Sequence, residues 1–126
     1  MNKNLSPSVL DHIPDEVYEV LNDLGLQQQL LGYNYVAYGI DYLTDKLDTK
    51  LSITKDLYPA IARAFNSTSS RVERGIRHSI ENVFSNVDPE ITYKYFGNSI
   101  SPMRGTVTNS QFLYTLAHHV HRNLRN

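Results

Sequence analysis

Residues 52–86 read SITKDLYPAIARAFNSTSSRVERGIRHSIENVFSN. Apolar side chains recur here at helical spacing in two blocks. Leu57, Ile61, Ala62 and Phe65 make one stripe, and Val72, Ile76, Ile80 and Val83 make another. Between them, Asn66-Ser67-Thr68-Ser69 breaks the pattern with residues that favour turns and helix N-caps. The stretch predicts two helices, about 54–65 and 69–86, joined by a short polar turn. Pro59 must lie near the first turn of the earlier helix, since deeper in it would remove a backbone hydrogen bond. On a helical wheel the second stripe falls within an arc of about 80°. Arg71, Arg74 and His78 lie roughly opposite, with Glu73 and Arg77 on the flanks. A helix anchored on one side, cationic on the other and preceded by a shorter helix is how a helix-turn-helix addresses the DNA major groove.

The side chains fit that task individually. The planar fork of arginine bonds both O6 and N7 of guanine, and a glutamate accepts from cytosine N4. A carboxylate among arginines repels phosphate, so its presence points to base reading rather than bulk charge. Arg77 and His78, a turn further on, join Thr68, Ser70 and Lys55 as expected phosphate contacts, the N-cap region offering hydroxyls and free N–H groups to an anion. The competing reading of this face is a solvated helix surface laced by Glu73–Arg77 and Arg77–Glu81 pairs at i,i+4.

Outward from this segment, helical spacing continues and strand signals are weak. Pro14, Asp15 and Glu16 suit a helix start, with Val17, Leu21 and Leu24 as its stripe and Gly25 as its stop. Leu31, Tyr35, Tyr38 and Tyr42 mark a helix over about 28–46, its tyrosines packed inward with hydroxyls at the rim. Asp88 and Pro89 begin a short helix that ends near Gly97. Residues 98–107 read as an ordered loop. Thr108 and Gln111 then form a capping box ahead of a last helix carrying Phe112, Leu113, Leu116, Val120 and Leu124 on one side. The expectation is an all-α fold of about six helices around a helix-turn-helix at about 54–86. It would be a single domain over 1–126, with 1–13 as a short N-terminal extension.

Composition sets outer limits. There is no apolar run of ~20 residues to span a bilayer and no apolar core of a secretory signal near Met1. There is no cysteine for a disulfide or thiolate site. A cytoplasmic protein without membrane contact is the simplest reading. The net charge of −1 is unevenly spread. Residues 1–50 hold 3 Lys against 8 Asp and Glu, giving 3 − 8 = −5, whereas residues 51–126 hold 9 Lys and Arg against 5, giving 9 − 5 = +4. The basic part would turn toward a polyanion. His118 and His121 share a helix face, but no carboxylate lies near them in sequence to complete a metal site. No Gly-rich phosphate loop or nucleophile elbow is present. No cofactor, metal or enzymatic activity is expected.

The strings Ser52-Ile53-Thr54-Lys55, Leu57-Tyr58-Pro59, Ile61-Ala62, Phe65-Asn66, Ser70-Arg71-Val72-Glu73-Arg74, Ile76-Arg77-His78 and Ile80-Glu81 closely resemble the C-terminal DNA-binding domain of the master sporulation response regulator of endospore-forming bacteria. Phe96-Gly97, Thr108-Asn109-Ser110 with Phe112, and Gly32-Tyr33 with Tyr35 also fit, so the likeness spans about residues 17–124. It implies a compact six-helix domain that binds a short TGTCGAA-like box on double-stranded DNA. Arg71, Glu73 and Arg74 would then read bases, with Arg77 and His78 on the backbone. It also implies head-to-tail homodimers on tandem boxes and contact with the RNA polymerase sigma subunit through the region after the recognition helix.

Three features depart from the family pattern. The family protein has a phosphorylatable receiver ahead of this domain, whereas here about 16 residues precede Val17, so regulation independent of phosphorylation is expected. Residues 91–107 match poorly, which leaves the sigma contact the least transferable feature. Gly75 sits within the recognition helix, where Gly costs ~1 kcal/mol against Ala, and is read as close packing on the 54–65 helix. A transcriptional regulator is the first reading. A plasmid- or phage-type accessory factor in replication, transfer or segregation is another. A protein-interaction module antagonising a homologous regulator is the third, and the intact Arg71, Glu73 and Arg74 argue against it.

Overall fold

The computed structural model describes residues 7–124, and every regular element in them is helical. The helices are α1 (Pro7–Asp11), α2 (Asp15–Asp23), α3 (Leu31–Thr44), α4 (Tyr58–Ala64), α5 (Ser69–Asn86), α6 (Pro89–Phe96) and α7 (Asn109–Leu124). The six expected helices are present. The seventh, α1, lies within the stretch read as an extension. With five residues it is too short to leave a periodic trace in the sequence.

Local chemistry sets most helix ends. Gly25, at φ +69°, closes α2: its own N–H bonds the Asn22 carbonyl, and the next N–H, of buried Leu26, reaches back to the Leu21 carbonyl at 3.0 Å. Asp88 caps α6 by accepting from the Glu90 N–H at 2.9 Å. The capping box of α7 is complete: Thr108 Oγ1 accepts from the Gln111 N–H at 3.1 Å, and Gln111 Oε1 accepts from the Thr108 N–H at 2.9 Å.

The helix expected over 54–65 is not continuous. Its first part is a π-type turn, Ile53–Leu57, in which the N–H groups of Asp56 and Leu57 both converge on the Ser52 carbonyl. Two contacts hold this wider turn. Ser52 Oγ accepts from the Lys55 N–H at 3.0 Å, and the Asp56 carboxylate accepts from the Ser52 N–H at 2.8 Å. Pro59 has no N–H to give and is accommodated in the first turn of α4, where no regular helical hydrogen bond from that N–H is needed.

One hydrophobic cluster joins the elements, with α3 packed against both α5 and α7. Val36, Ala37, Ile40 and Leu43 of α3 are fully buried, as are Val72 and Ile76 of α5 and Phe112, Leu113 and Leu116 of α7. At the meeting of α3 and α5 two glycines face each other. A Cβ on Gly32 would lie 2.1 Å from the Gly75 carbonyl oxygen and 2.2 Å from Ser79 Oγ. A Cβ on Gly75 would lie 3.0 Å from the Tyr35 ring. The close packing expected of Gly75 is therefore real, but its partner is α3, not the helix at 58–64. The two backbones can approach this closely only because neither helix carries a side chain there.

Candidate nucleic-acid interface

The turn between α4 and α5 decides how α5 is presented. Asn66 adopts φ +52°, a left-handed conformation that Asn tolerates better than most residues. It ends α4 as Gly25 ends α2, with the Ser67 N–H bonding back to the Ala62 carbonyl at 2.8 Å. Thr68 then caps α5, its hydroxyl accepting from the Arg71 N–H at 3.2 Å. The core fixes this turn from below. Tyr35 donates to Ser67 Oγ at 3.0 Å, and its ring meets Phe65 edge-on at 5.4 Å. From α7, Asn109 Nδ2 donates to both the Tyr58 hydroxyl (2.9 Å) and the Glu73 carbonyl (3.2 Å), tying the two helices of the motif to a third. Burial pushes the Tyr58 hydroxyl up from its ordinary pKa, with the Asn109 hydrogen bond opposing.

Along α5, Val72, Ile76, Ile80 and Val83 are buried, whereas Arg71, Arg74, Arg77 and His78 are exposed. Three surface clefts border the helix, one of them on the far side of Glu73 and Arg77 toward Arg104 and Asn109, and two meet at Arg74. The one toward α3, about 350 Å³, is bordered by Arg71, Arg74 and His78 on α5 and by Leu30, Leu31 and Gly32 opposite. The one toward α4, about 390 Å³, is bordered by Ser70, Glu73, Arg74 and Arg77 on α5 and by Thr54 and Tyr58 opposite. Arg74 borders both of these clefts and lies opposite the buried stripe on the helical wheel, and so stands on the crest of the helix. Arg71 and His78 fall on one flank, Glu73 and Arg77 on the other.

The flanks differ in ion pairing. Arg77 Nη1 donates to both Glu73 carboxylate oxygens, at 2.9 and 2.8 Å, in an i,i+4 pair. Arg71, Arg74 and His78 have no ion pair among the described residues. Seven of the eight sequence-predicted residues thus lie on α5 or at its cap, and six of them border a cleft. Thr68 and Lys55 border none of the three. Thr68 spends its hydroxyl on the cap, and Lys55 projects from the π-type turn next to Thr54. Tyr58, Asn109 and Leu31 were not anticipated at the site. Tyr58 and Asn109 fall within the strings that carry the family likeness, which was their only trace in the sequence.

A short helix, a capped turn and a longer exposed helix with a cationic crest define a helix-turn-helix DNA-binding domain, whose partner is double-stranded DNA. Residues 17–120 match the family described as Sporulation initiation factor Spo0A C terminal, and the chain belongs to that family. The family is one of sequence-specific DNA-binding domains of sporulation regulation and not a family of enzymes. Among the described residues no helix is long and apolar enough to cross a membrane.

Proposed function

We propose that this domain, as a single unit independent of phosphorylation, regulates transcription by reading a TGTCGAA-like box through α5. Arg71, Glu73 and Arg74 address base edges, and Arg77, His78, Thr68, Ser70 and Lys55 address the phosphate backbone. The observation that carries the reading is the position of Arg74 on the crest between two clefts, where a helix entering the major groove meets base edges first. Arg77 on the flank is better placed for a phosphate. Glu73 has lone pairs left beyond those that hold Arg77, so it can accept from a cytosine without releasing the arginine. Tandem boxes would be occupied by head-to-tail dimers, and the sigma contact would fall to the region after α5.

Two variants test the assignment. Arg74→Ala should cost ~1–3 kcal/mol on the box and little on a scrambled duplex. Arg77→Ala should weaken both duplexes alike and reduce the slope of log K against log salt by about 1. An Arg74→Ala protein that loses affinity equally on both duplexes would show that Arg74 reads no base.

A further inference from the structure

The α3-side cleft contains an apolar element that the cationic residues do not account for. Leu31, in the first turn of α3, is 68% exposed. Single exposed leucines are common on protein surfaces, but this one forms, with Leu30 and Gly32, the opposite wall of the cleft bordered by Arg71, Arg74 and His78. No carboxylate borders that cleft, whereas Glu73 borders the α4-side one. Leu31 is also held in place. Its neighbour Gly32 is pressed against the Gly75 carbonyl, so the first turn of α3 cannot withdraw from α5 without opening the helix crossing. DNA entering along Arg71 and Arg74 must therefore pass Leu31. A duplex edge offers the matching chemistry: phosphates for the cations, and the thymine methyl and deoxyribose carbons for the leucine.

Resting on the recognition-helix reading above, we propose that Leu31 contacts DNA, covering apolar carbon at the base edge or sugar beside the bases that Arg71 and Arg74 address. Readout then involves two helices, α5 through charge and hydrogen bonds and α3 through one apolar contact. The pairing is continuous with the DNA-facing surface and needs no rearrangement of the fold.

The test is a titration of wild type, Leu31→Ser and Leu31→Glu against a TGTCGAA-type duplex, and against the same duplex with each thymine replaced by uracil. Leu31 is exposed, so Leu31→Ser should fold normally, which a thermal melt checks. Leu31→Ser should lose about 3- to 10-fold in affinity, as partial loss of a buried leucine implies, with an unchanged salt slope. Leu31→Glu should lose more, by repulsion from phosphate. If uracil weakens wild type but not Leu31→Ser, the contact is to a thymine methyl; if uracil has no effect while Leu31→Ser still loses affinity, it is to deoxyribose. Equal affinity of Leu31→Ser and wild type, with the Arg74→Ala loss intact, overturns the proposal alone. If wild type shows no preference for the box and Arg74→Ala no selective loss, the recognition-helix reading falls and this inference falls with it.

Discussion

Replacing Gly32 and Gly75 one at a time with alanine should have very different consequences, although both lie in helices and both face the same crossing. Either change gains ~1 kcal/mol of helix propensity. At Gly32 the new methyl lies 2.1 Å from the Gly75 carbonyl oxygen and 2.2 Å from Ser79 Oγ. The first of these is backbone inside a helix and cannot rotate away. Restoring an ordinary contact requires α3 and α5 to part by roughly 1 Å, which loosens many packed pairs at once. Overpacking of this kind costs ~1–3 kcal/mol and occasionally more, and an immovable obstacle places Gly32→Ala at the upper end. The net loss should be about 2 kcal/mol or more, or roughly 6–8 °C in Tm for a chain of this size. At Gly75 the methyl meets the edge of the Tyr35 ring at 3.0–3.2 Å. A ring can give by a few tenths of an ångström, so Gly75→Ala should stay within about 1 kcal/mol of wild type, propensity gain and crowding nearly cancelling. Thermal melts followed by circular dichroism, with urea titrations to verify unchanged m-values, measure both. A Gly32→Ala protein as stable as wild type, or a Gly75→Ala protein less stable than Gly32→Ala, would refute the close-crossing argument.

The motif's turn and the far end of α7 offer two further checks. Asn66→Val should cost ~1–2 kcal/mol, because a β-branched residue is strained at φ +52°, while Asn66→Gly should be near neutral; equal stability of the two variants in urea would show that the left-handed turn is not under strain. His119 packs edge-on against Tyr95 at 5.0 Å, and burial, then Arg122 and Lys94, hold its imidazole below the ordinary pKa of 6.5, with Asp23 opposing. As pH falls through 6.5, the unfolded chain takes up this proton before the folded one, so stability should drop until the folded imidazole is protonated as well. His119→Gln should flatten that part of the Tm–pH curve between pH 7 and 5, and an unchanged curve would remove His119 as the cause.

What the sequence made legible was whatever closes within three or four residues. The Thr108–Gln111 box, the Asp88 cap and the Gly25 stop all stand where their spacing put them. The stripe Val72, Ile76, Ile80 and Val83 is buried as the wheel required, because an amphipathic helix in a small protein has only one way to hide that face. What depends on distant partners was not legible. Gly75 announced a close approach but not its partner, since Gly32 lies 43 positions earlier and periodicity carries no pairing information. The π-type turn before α4 arises from Ser52, Asp56 and Pro59 acting together, whereas each alone also fits an ordinary helix start. The division of the α5 face into two flanks, one with a paired arginine and one whose Arg71 and His78 have no ion pair among the described residues, follows from which helix stands beside each flank. For the same reason Leu31 looked like one more apolar position in a tyrosine-rich stripe, yet it is exposed beside the cations.

The central claim is that α5 reads a particular sequence. The direct measurement is a binding titration of this protein against a duplex carrying a TGTCGAA-type box and against a scrambled duplex, each at two salt concentrations. The account requires a preference of about 10³ or more for the box, with both affinities falling as salt rises. Equal affinity for the two duplexes, with the same steep salt dependence, would contradict it: α5 would then be a cationic surface that holds DNA without reading it.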